Sequence, residues 1–325
     1  MGRAAWGNTF IHKIRPQFLV MSEVWGGSEC QKNRVPQVSF EFFPPKTDAL
    51  STSLWSAFQE LRPFKPVFVS VTYGAGGATR NRTHEIVAHI RRETDVVPAA
   101  HLTCVGSTRK DIREIAQKYS DAGVSHIVAL RGDPALGDLQ FKPHQGGYSG
   151  SVDLIKGLRE IDDFEITAAA YPEQHPESRG IQPDMDYLKR KCDAGAVRFI
   201  TQFFFDNDCF FRFCDSVRGS GIAVPIVPGI LPITNFKQIA RFSEKCGATI
   251  PASIAKLFET ASDEPGEAQK IALDIAGEQC LKLLSSGVGQ LHFYTLNRAD
   301  LVSEICRVLG IGVWSAAEPI LVVPS

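Results

Sequence analysis

The sequence predicts a single-domain α/β protein built as a (β/α)8 TIM barrel, and three observations carry that reading. Strand-length runs of β-branched and aromatic residues alternate with amphipathic helical stretches eight times. Successive runs begin roughly 26 to 39 residues apart, save for one longer gap before the last, as expected when about 250 residues are shared among eight units. No composition break divides the chain, whose 325 residues and 44 % hydrophobic content suffice for one large core.

The strands are expected at Val38 to Phe43, Val67 to Thr72, Ala99 to Cys104, His126 to Leu130, Glu165 to Ala170, Arg198 to Phe203, Val224 to Pro228 and Gln290 to Tyr294. Between them, Thr108 to Gly123 reads as a helix: Ile112, Ile115, Ala116 and Tyr119 share one face, Thr108 and Asp111 suit the first turn, and Gly123 suits the stop. Met185, Leu188 and Cys192 line another helix, ended by Gly195. The long gap before the last strand holds extra helix around Pro251 to Ser286. A doubly wound open sheet is the competing architecture. Against it, the loop Gly74 to Thr79 has Thr79 where a dinucleotide-binding G-x-G-x-x-G needs its third glycine, and no phosphate-binding loop follows the first strand.

Residues 36–311 are thus assigned to the barrel, 1–35 to a poorly ordered extension and 312–325 to a tail. The extension carries Arg3, Lys13 and Arg15 but no apolar signal core; a transit peptide is the alternative, and Met21 is a second possible start. The chain ends soon after the last barrel helix, so no further regulatory domain is expected. Lys plus Arg number 35 against 36 Asp plus Glu, which offers no broad cationic face to nucleic acid or anionic lipid, and no run is long enough to cross a membrane. A small-molecule partner is expected. The eight cysteines form no C-x-x-C pair, so neither zinc nor a disulfide framework is expected, no metal is assigned, and the compartment reads as reducing and cytoplasmic.

Function in such a barrel concentrates where strands end. Polar groups there are Glu41, Thr72 with Tyr73, His101 with Thr103, Arg131-Gly132-Asp133, Tyr171 with His175, Gln202, and Tyr294 with Arg298. Glu41 lies among Phe40, Phe42 and Phe43, and alternation turns its carboxylate into the barrel. Loss of water there is expected to raise its pKa, as suits a general acid; a structural ion pair with an interior base is the other reading. Tyr171-Pro172-Glu173-Gln174-His175-Pro176 offers an aromatic platform and a histidine on a stiff loop, able to stack a planar ring and hold a ribose or phosphate. Lys189-Arg190-Lys191 reads as a solvated helix face unless phosphate binds nearby, and His101 and His126 read as core histidines.

From Val38 to Ile311 these segments resemble the methylenetetrahydrofolate reductase family, bacterial type. The blocks that carry the resemblance are Val38-Ser39-Phe40-Glu41-Phe42-Phe43-Pro44-Pro45, His101-Leu102-Thr103-Cys104, Val128-Ala129-Leu130-Arg131-Gly132-Asp133, Ala169-Ala170-Tyr171-Pro172-Glu173, Thr201-Gln202-Phe203-Phe204-Phe205, Pro228-Gly229-Ile230-Leu231-Pro232 and His292-Phe293-Tyr294-Thr295-Leu296-Asn297-Arg298. The resemblance implies an FAD-dependent oxidoreductase of one-carbon metabolism that takes electrons from NADH or NADPH and reduces 5,10-methylenetetrahydrofolate to 5-methyltetrahydrofolate by a ping-pong mechanism, a step that feeds methionine biosynthesis. It implies Glu41 as general acid and Asp133 as the carboxylate that tunes the flavin and stabilises the folate iminium. The implied flavin site comprises Thr72, Tyr73, Ala75, His101, Arg131, Gly132, Asp133, Gly147, Tyr148, Ser149, Tyr171, His175, Asp184, Arg190 and Lys191. The implied folate contacts, beside Glu41 and Asp133, are Gln202, Gln238, Phe242 and Arg298. Homo-oligomers are common in the family. Three departures stand out: a long loop from Ala135 to Ser149, the segment before Val38, and Tyr187 where a polar amide is usual. The rival functions are a flavin-independent folate or pterin methyltransferase barrel and a non-catalytic flavin or folate sensor.

Overall fold

The structure, a computed structural model, describes residues 36–73, 79–134, 141–262 and 264–312. The expected extension, Ala75, most of the 135–149 loop's first half and all but one residue of the tail lie outside the described residues. Chain order runs β1 (Gln37–Phe42), α1 (Asp48–Leu61), a 3₁₀ turn (Arg62–Phe64), β2 (Phe68–Val71), α2 (Arg80–Glu93), β3 (Pro98–Thr103), α3 (Arg109–Asp121), β4 (His126–Leu130) and α4 (Ser151–Arg159). It continues through β5 (Glu165–Ala170), α5 (Ile181–Asp193), β6 (Arg198–Thr201), α6 (Asn207–Gly219), β7 (Ile226–Val227), β8 (Gly229–Ile230), α7 (Phe236–Cys246), α8 (Ala252–Glu259), α9 (Glu267–Ser285), β9 (Gln290–Tyr294) and α10 (Asp300–Val308).

All pairings are parallel, and each strand pairs with its neighbour in sequence from β1 to β7, while β1 also pairs with β9 and β9 with β8. The seventh stave lies about two residues beyond the expected Val224 to Pro228 and is split. Pro228 has no N–H to give a ladder, so β7 stays with β6 and β8 crosses to β9. The seam is closed by other means: the His292 N–H donates to the Pro228 carbonyl at 3.0 Å, and the Gly229 N–H donates to Thr201 Oγ1 at 2.9 Å. The described strands thus form a nearly closed ring, which leaves little edge to protect.

Alternation sorts the side chains into two layers. Val38, Phe40 and Phe42 of β1 point outward and join the main core against α1 and its neighbours. Inside the barrel a smaller apolar cluster of Phe68, Ala99, Val128, Ile200 and Val227 is ringed by polar residues from the same strands. The helices begin and end as their residues dictate. Thr108 and Asp111 form a reciprocal capping box on α3, and Gly123 and Gly195 take the left-handed turns that follow α3 and α5. The extra helix before the last strand is present as α8 and α9. The seven cysteines among the described residues are free, and no described helix is long and apolar enough to cross a membrane.

Candidate active site at the carboxyl ends of the strands

Glu41, one residue before the end of β1, turns its carboxylate into the barrel as alternation predicted. Its Oε2 lies 3.2 Å from His101 Nε2 on β3 and 3.6 Å from His292 Nε2 on β9. At rest neither ring nitrogen completes a well-aligned hydrogen bond to the carboxylate, although both lie at its edge. Behind this group, His292 Nδ1 lies 2.8 Å from Ser39 Oγ and Gln290 Nε2 donates to the same hydroxyl at 3.3 Å. The expected rise of the Glu41 pKa is overturned. Burial does push it upward and is the largest single effect, but the pull of His101 and then of His292 outweighs it and holds the carboxyl down to about 2. The resting group is therefore an ionised carboxylate. His292, fully enclosed, is held below its ordinary value by burial and is neutral near pH 7.

Beside this group opens a cleft of about 360 Å³ between the ends of β3, β4 and β5 and helix α5. Eight residues assigned by resemblance to the flavin site line it: Tyr73, Arg131, Gly132, Asp133, Tyr171, His175, Asp184 and Lys191. Glu41 is not one of its walls; it stands across the barrel mouth, and Tyr294, whose hydroxyl donates to the Thr201 carbonyl at 2.7 Å, senses the charges of both Glu41 and Tyr171.

The wall chemistry favours a ligand that carries an anion and a planar polar ring. Lys191 is buried, and its Nζ donates to the Ala169 carbonyl at 2.6 Å with no carboxylate in contact among the described residues. Burial lowers it to about 8, with Asp184 opposing. An ammonium held out of water without an ion-pair partner is a ready seat for phosphate. The hydroxyls of Tyr73 and Thr103 are buried in the same wall without a hydrogen-bond partner among the described residues, which leaves polar atoms for a ring edge to satisfy. Burial raises the Tyr73 hydroxyl to about 12, against the opposing charge of Arg80. At Gly132, with φ of 88°, an added Cβ would come within 2.6 Å of Val105 Cγ1, so only glycine lets the backbone form this wall.

Some assigned residues are already engaged by the protein. Arg131 makes a bidentate ion pair with Glu177 at 2.6 and 2.7 Å, and its guanidinium lies 4.9 Å from the Phe141 ring. The Glu177 N–H donates to His175 Nδ1 at 3.0 Å, which leaves the ring proton on Nε2. Burial lowers the His175 pKa, so the ring is neutral at pH 7. His175 packs edge-on against Tyr171, whose hydroxyl is raised to about 12 by burial and by Asp133.

Other assigned residues stand apart from the cleft. Thr72 is tied by its backbone to Phe42 and Thr83, and His101 belongs with Glu41. Tyr148 is packed onto Gly157 of α4, Gly147 against the Ser107 carbonyl, and Ser149 is bonded to Asp153. Arg190 is exposed, 5.5 Å from the Tyr187 ring, while Tyr187 itself lines the cleft with its hydroxyl 3.0 Å from Ser151 Oγ. On the other side of the mouth, Gln202 Oε1 accepts from the Phe203 N–H at 3.0 Å, which leaves the amide nitrogen as the side chain's donor. Phe242, 43 % exposed, stacks on Phe203 at 5.3 Å. Gln238 and Arg298 are exposed, the latter paired with Asp300 at 2.8 Å. Reading single residues missed His292, although the alternation that turns Glu41 inward also turns Gln290, His292 and Tyr294 inward on β9. Glu177 had no such signal.

The sequence model of the family described as methylenetetrahydrofolate reductase matches residues 28–310 of the chain. Two bacterial proteins named 5,10-methylenetetrahydrofolate reductase are similar over most of their length. The one from Pectobacterium carotovorum is 45 % identical over 84 % of this chain and 90 % of its own, and the one from Escherichia coli (strain K12) is 46 % identical over the same shares. An Arabidopsis thaliana protein named methylenetetrahydrofolate reductase (NADH) 1 is 38 % identical over 84 % of this chain and 48 % of its own. Among solved structures, a Clostridium thermocellum protein described as binding two copies of 5-methyl-5,6,7,8-tetrahydrofolic acid shares the fold, with a TM-score of 0.55 and 12 % identity over 86 % of this chain and 96 % of its own.

Proposed function

Because the chain belongs to the methylenetetrahydrofolate reductase family, we propose that it reduces 5,10-methylenetetrahydrofolate to 5-methyltetrahydrofolate, drawing electrons from NADH or NADPH through bound FAD in two alternating half-reactions. The observation that carries this reading is the pairing of Glu41 with His101 at the barrel mouth, beside a cleft whose free ammonium and unpartnered hydroxyls fit a flavin with its phosphates. Lys191 would hold a phosphate, with Tyr73, Thr103 and the Gly132 backbone against the ring and Tyr171 with His175 closing the outer wall. Bound FAD supplies the hydride relay between nicotinamide and folate.

The chain's own contribution is a proton and a fixed charge. Glu41 delivers the proton to the bridging nitrogen of the folate, which opens the five-membered ring to an iminium able to accept hydride. From a pKa of about 2, protonating Glu41 at pH 7 spans five units, or about 7 kcal/mol. One feature reduces that cost: folate laid over Glu41 covers its remaining 18 % side-chain exposure and strengthens the burial effect that already pushes it upward. Asp133, at the end of β4, places a negative charge toward the developing cation. Gln202 offers its amide nitrogen to the pterin, and Phe203 with Phe242 forms a stacking surface.

The test is anaerobic. Flavin absorbance is bleached by NAD(P)H and must return when methylenetetrahydrofolate is added; a flavin that stays bleached refutes the proposal, and one that never bleaches points to a sensor. Glu41→Gln is expected to keep FAD and its reduction but lose about 10²- to 10⁴-fold in the folate half-reaction.

A further inference from the structure

The link from β9 to α10 is strained and tied to the far end of the chain. Leu296 and Asn297 are consecutive left-handed residues, with φ of 51° and 57°, and leucine rarely takes that conformation. Such strain persists where surrounding contacts over-determine it, and it gathers at functional sites. Here the contacts are specific. Asn297 Oδ1 accepts from the Phe43 N–H at 2.9 Å, and Asn297 Nδ2 donates to the Phe43 carbonyl at 2.8 Å. One residue group earlier, Thr295 Oγ1 donates to the Glu41 carbonyl at 2.6 Å, the Thr295 N–H donates to the same oxygen at 3.2 Å, and the Asn297 N–H donates back to Thr295 Oγ1 at 3.1 Å. Both side chains are buried.

The sequence explains why a side chain does this. Regular pairing of β1 with β9 ends at Glu41 opposite Tyr294, and Pro44 and Pro45 follow Phe43 without N–H groups, so the ladder cannot run on. The amide of Asn297 replaces the missing strand partner, and the left-handed backbone at 296 and 297 aims it there. The three peptide groups that follow the Glu41 side chain are thus held from one short loop.

We infer that Asn297, with Thr295, is a positioning residue for Glu41: by clamping the Glu41 and Phe43 backbone it sets the carboxylate at its distance from His101. The inference rests on Glu41 being the acid of the proposed reaction. A carboxylate that must pass a proton to substrate while held 3.2 Å from an imidazole is sensitive to small shifts, and a misplacement of about 1 Å costs on the order of 10²-fold.

The experiment compares Asn297→Gly and Asn297→Asp holoenzymes with Glu41→Gln. Glycine keeps the left-handed turn and removes both side-chain bonds, while aspartate keeps the shape and the acceptor for the Phe43 N–H but replaces the donor with a carboxylate oxygen that the Phe43 carbonyl repels. Expected for Asn297→Gly are a folate half-reaction slowed about 10- to 100-fold, flavin reduction by NAD(P)H within about twofold of wild type, and a Glu41 carboxyl band, followed by infrared titration, that protonates at higher pH than in wild type. Asn297→Asp is expected to fall between the two and decides the question if the glycine variant does not fold. Equal slowing of both half-reactions with an unmoved carboxyl titration overturns the inference and leaves Asn297 a barrel clasp. An unimpaired folate step in Glu41→Gln overturns the proposed acid itself; an impaired Glu41→Gln beside an unimpaired Asn297→Gly overturns only the clamp.

Discussion

His126 makes the barrel core sensitive to acid by a calculable amount. The ring is enclosed on β4, its Nε2 is 2.8 Å from Thr167 Oγ1, and the Phe68 ring lies edge-on at 4.6 Å. Burial lowers its pKa from 6.5 to about 4; Glu165 opposes that shift, and Arg198, His101 and His292 add to it. The sign follows from linkage: above pH 6.5 neither state binds the proton, while below it the unfolded chain does and the folded barrel does not, so stability falls as pH drops toward 4. The full gap of two and a half units is about 3 kcal/mol, and between pH 7 and pH 5 the loss is about 2 kcal/mol. His126→Gln keeps a donor near Thr167 and removes the titration. Urea unfolding at pH 7.0 and pH 5.0, at matched flavin content, should show wild type losing about 2 kcal/mol more than the variant. Parallel pH dependences in the two proteins would refute the account of His126 as a neutral core group.

Two further outcomes follow from the cleft. Under the proposed function, Lys191→Met replaces a buried ammonium with an apolar chain of similar length, so FAD affinity, read by flavin fluorescence on titration of apoprotein, should fall about 10- to 100-fold; an unchanged dissociation constant removes Lys191 from the proposed phosphate site. Gly132→Ala forces a Cβ within 2.6 Å of Val105 at a left-handed backbone, and a loss of about 1–3 kcal/mol should appear as a lower urea midpoint, which an unmoved midpoint would contradict.

What was legible in the sequence is what depends on near neighbours along the chain. The Thr108–Asp111 capping box, the stops at Gly123 and Gly195 and the inward turn of Glu41 all follow from residues within a few positions of one another, and all are present. The seventh stave was misplaced because its outcome depends on which neighbours a proline-broken strand can still pair with, which no local pattern records. The site divides the same way. Tyr171 and His175 meet as their loop suggested, whereas the Arg131–Glu177 pair spans 46 residues and the Ser39–His292 contact spans 253.

The charge of Glu41 shows what that division means for chemistry. A carboxylate among phenylalanines announces burial, and burial alone argues for a raised pKa and a proton in hand. Barrel closure reverses the result by bringing in two imidazoles from strands that are remote in sequence, and their pull exceeds the burial effect. The acid proposed at this mouth is therefore better described as a carboxylate with adjacent histidines than as a carboxyl group alone. Under the proposed reaction, its readiness to give a proton would depend on how much of its surface the substrate covers. That would tie proton delivery to occupancy: a resting Glu41 is ionised, and docking of the folate that needs the proton would raise the affinity of Glu41 for it.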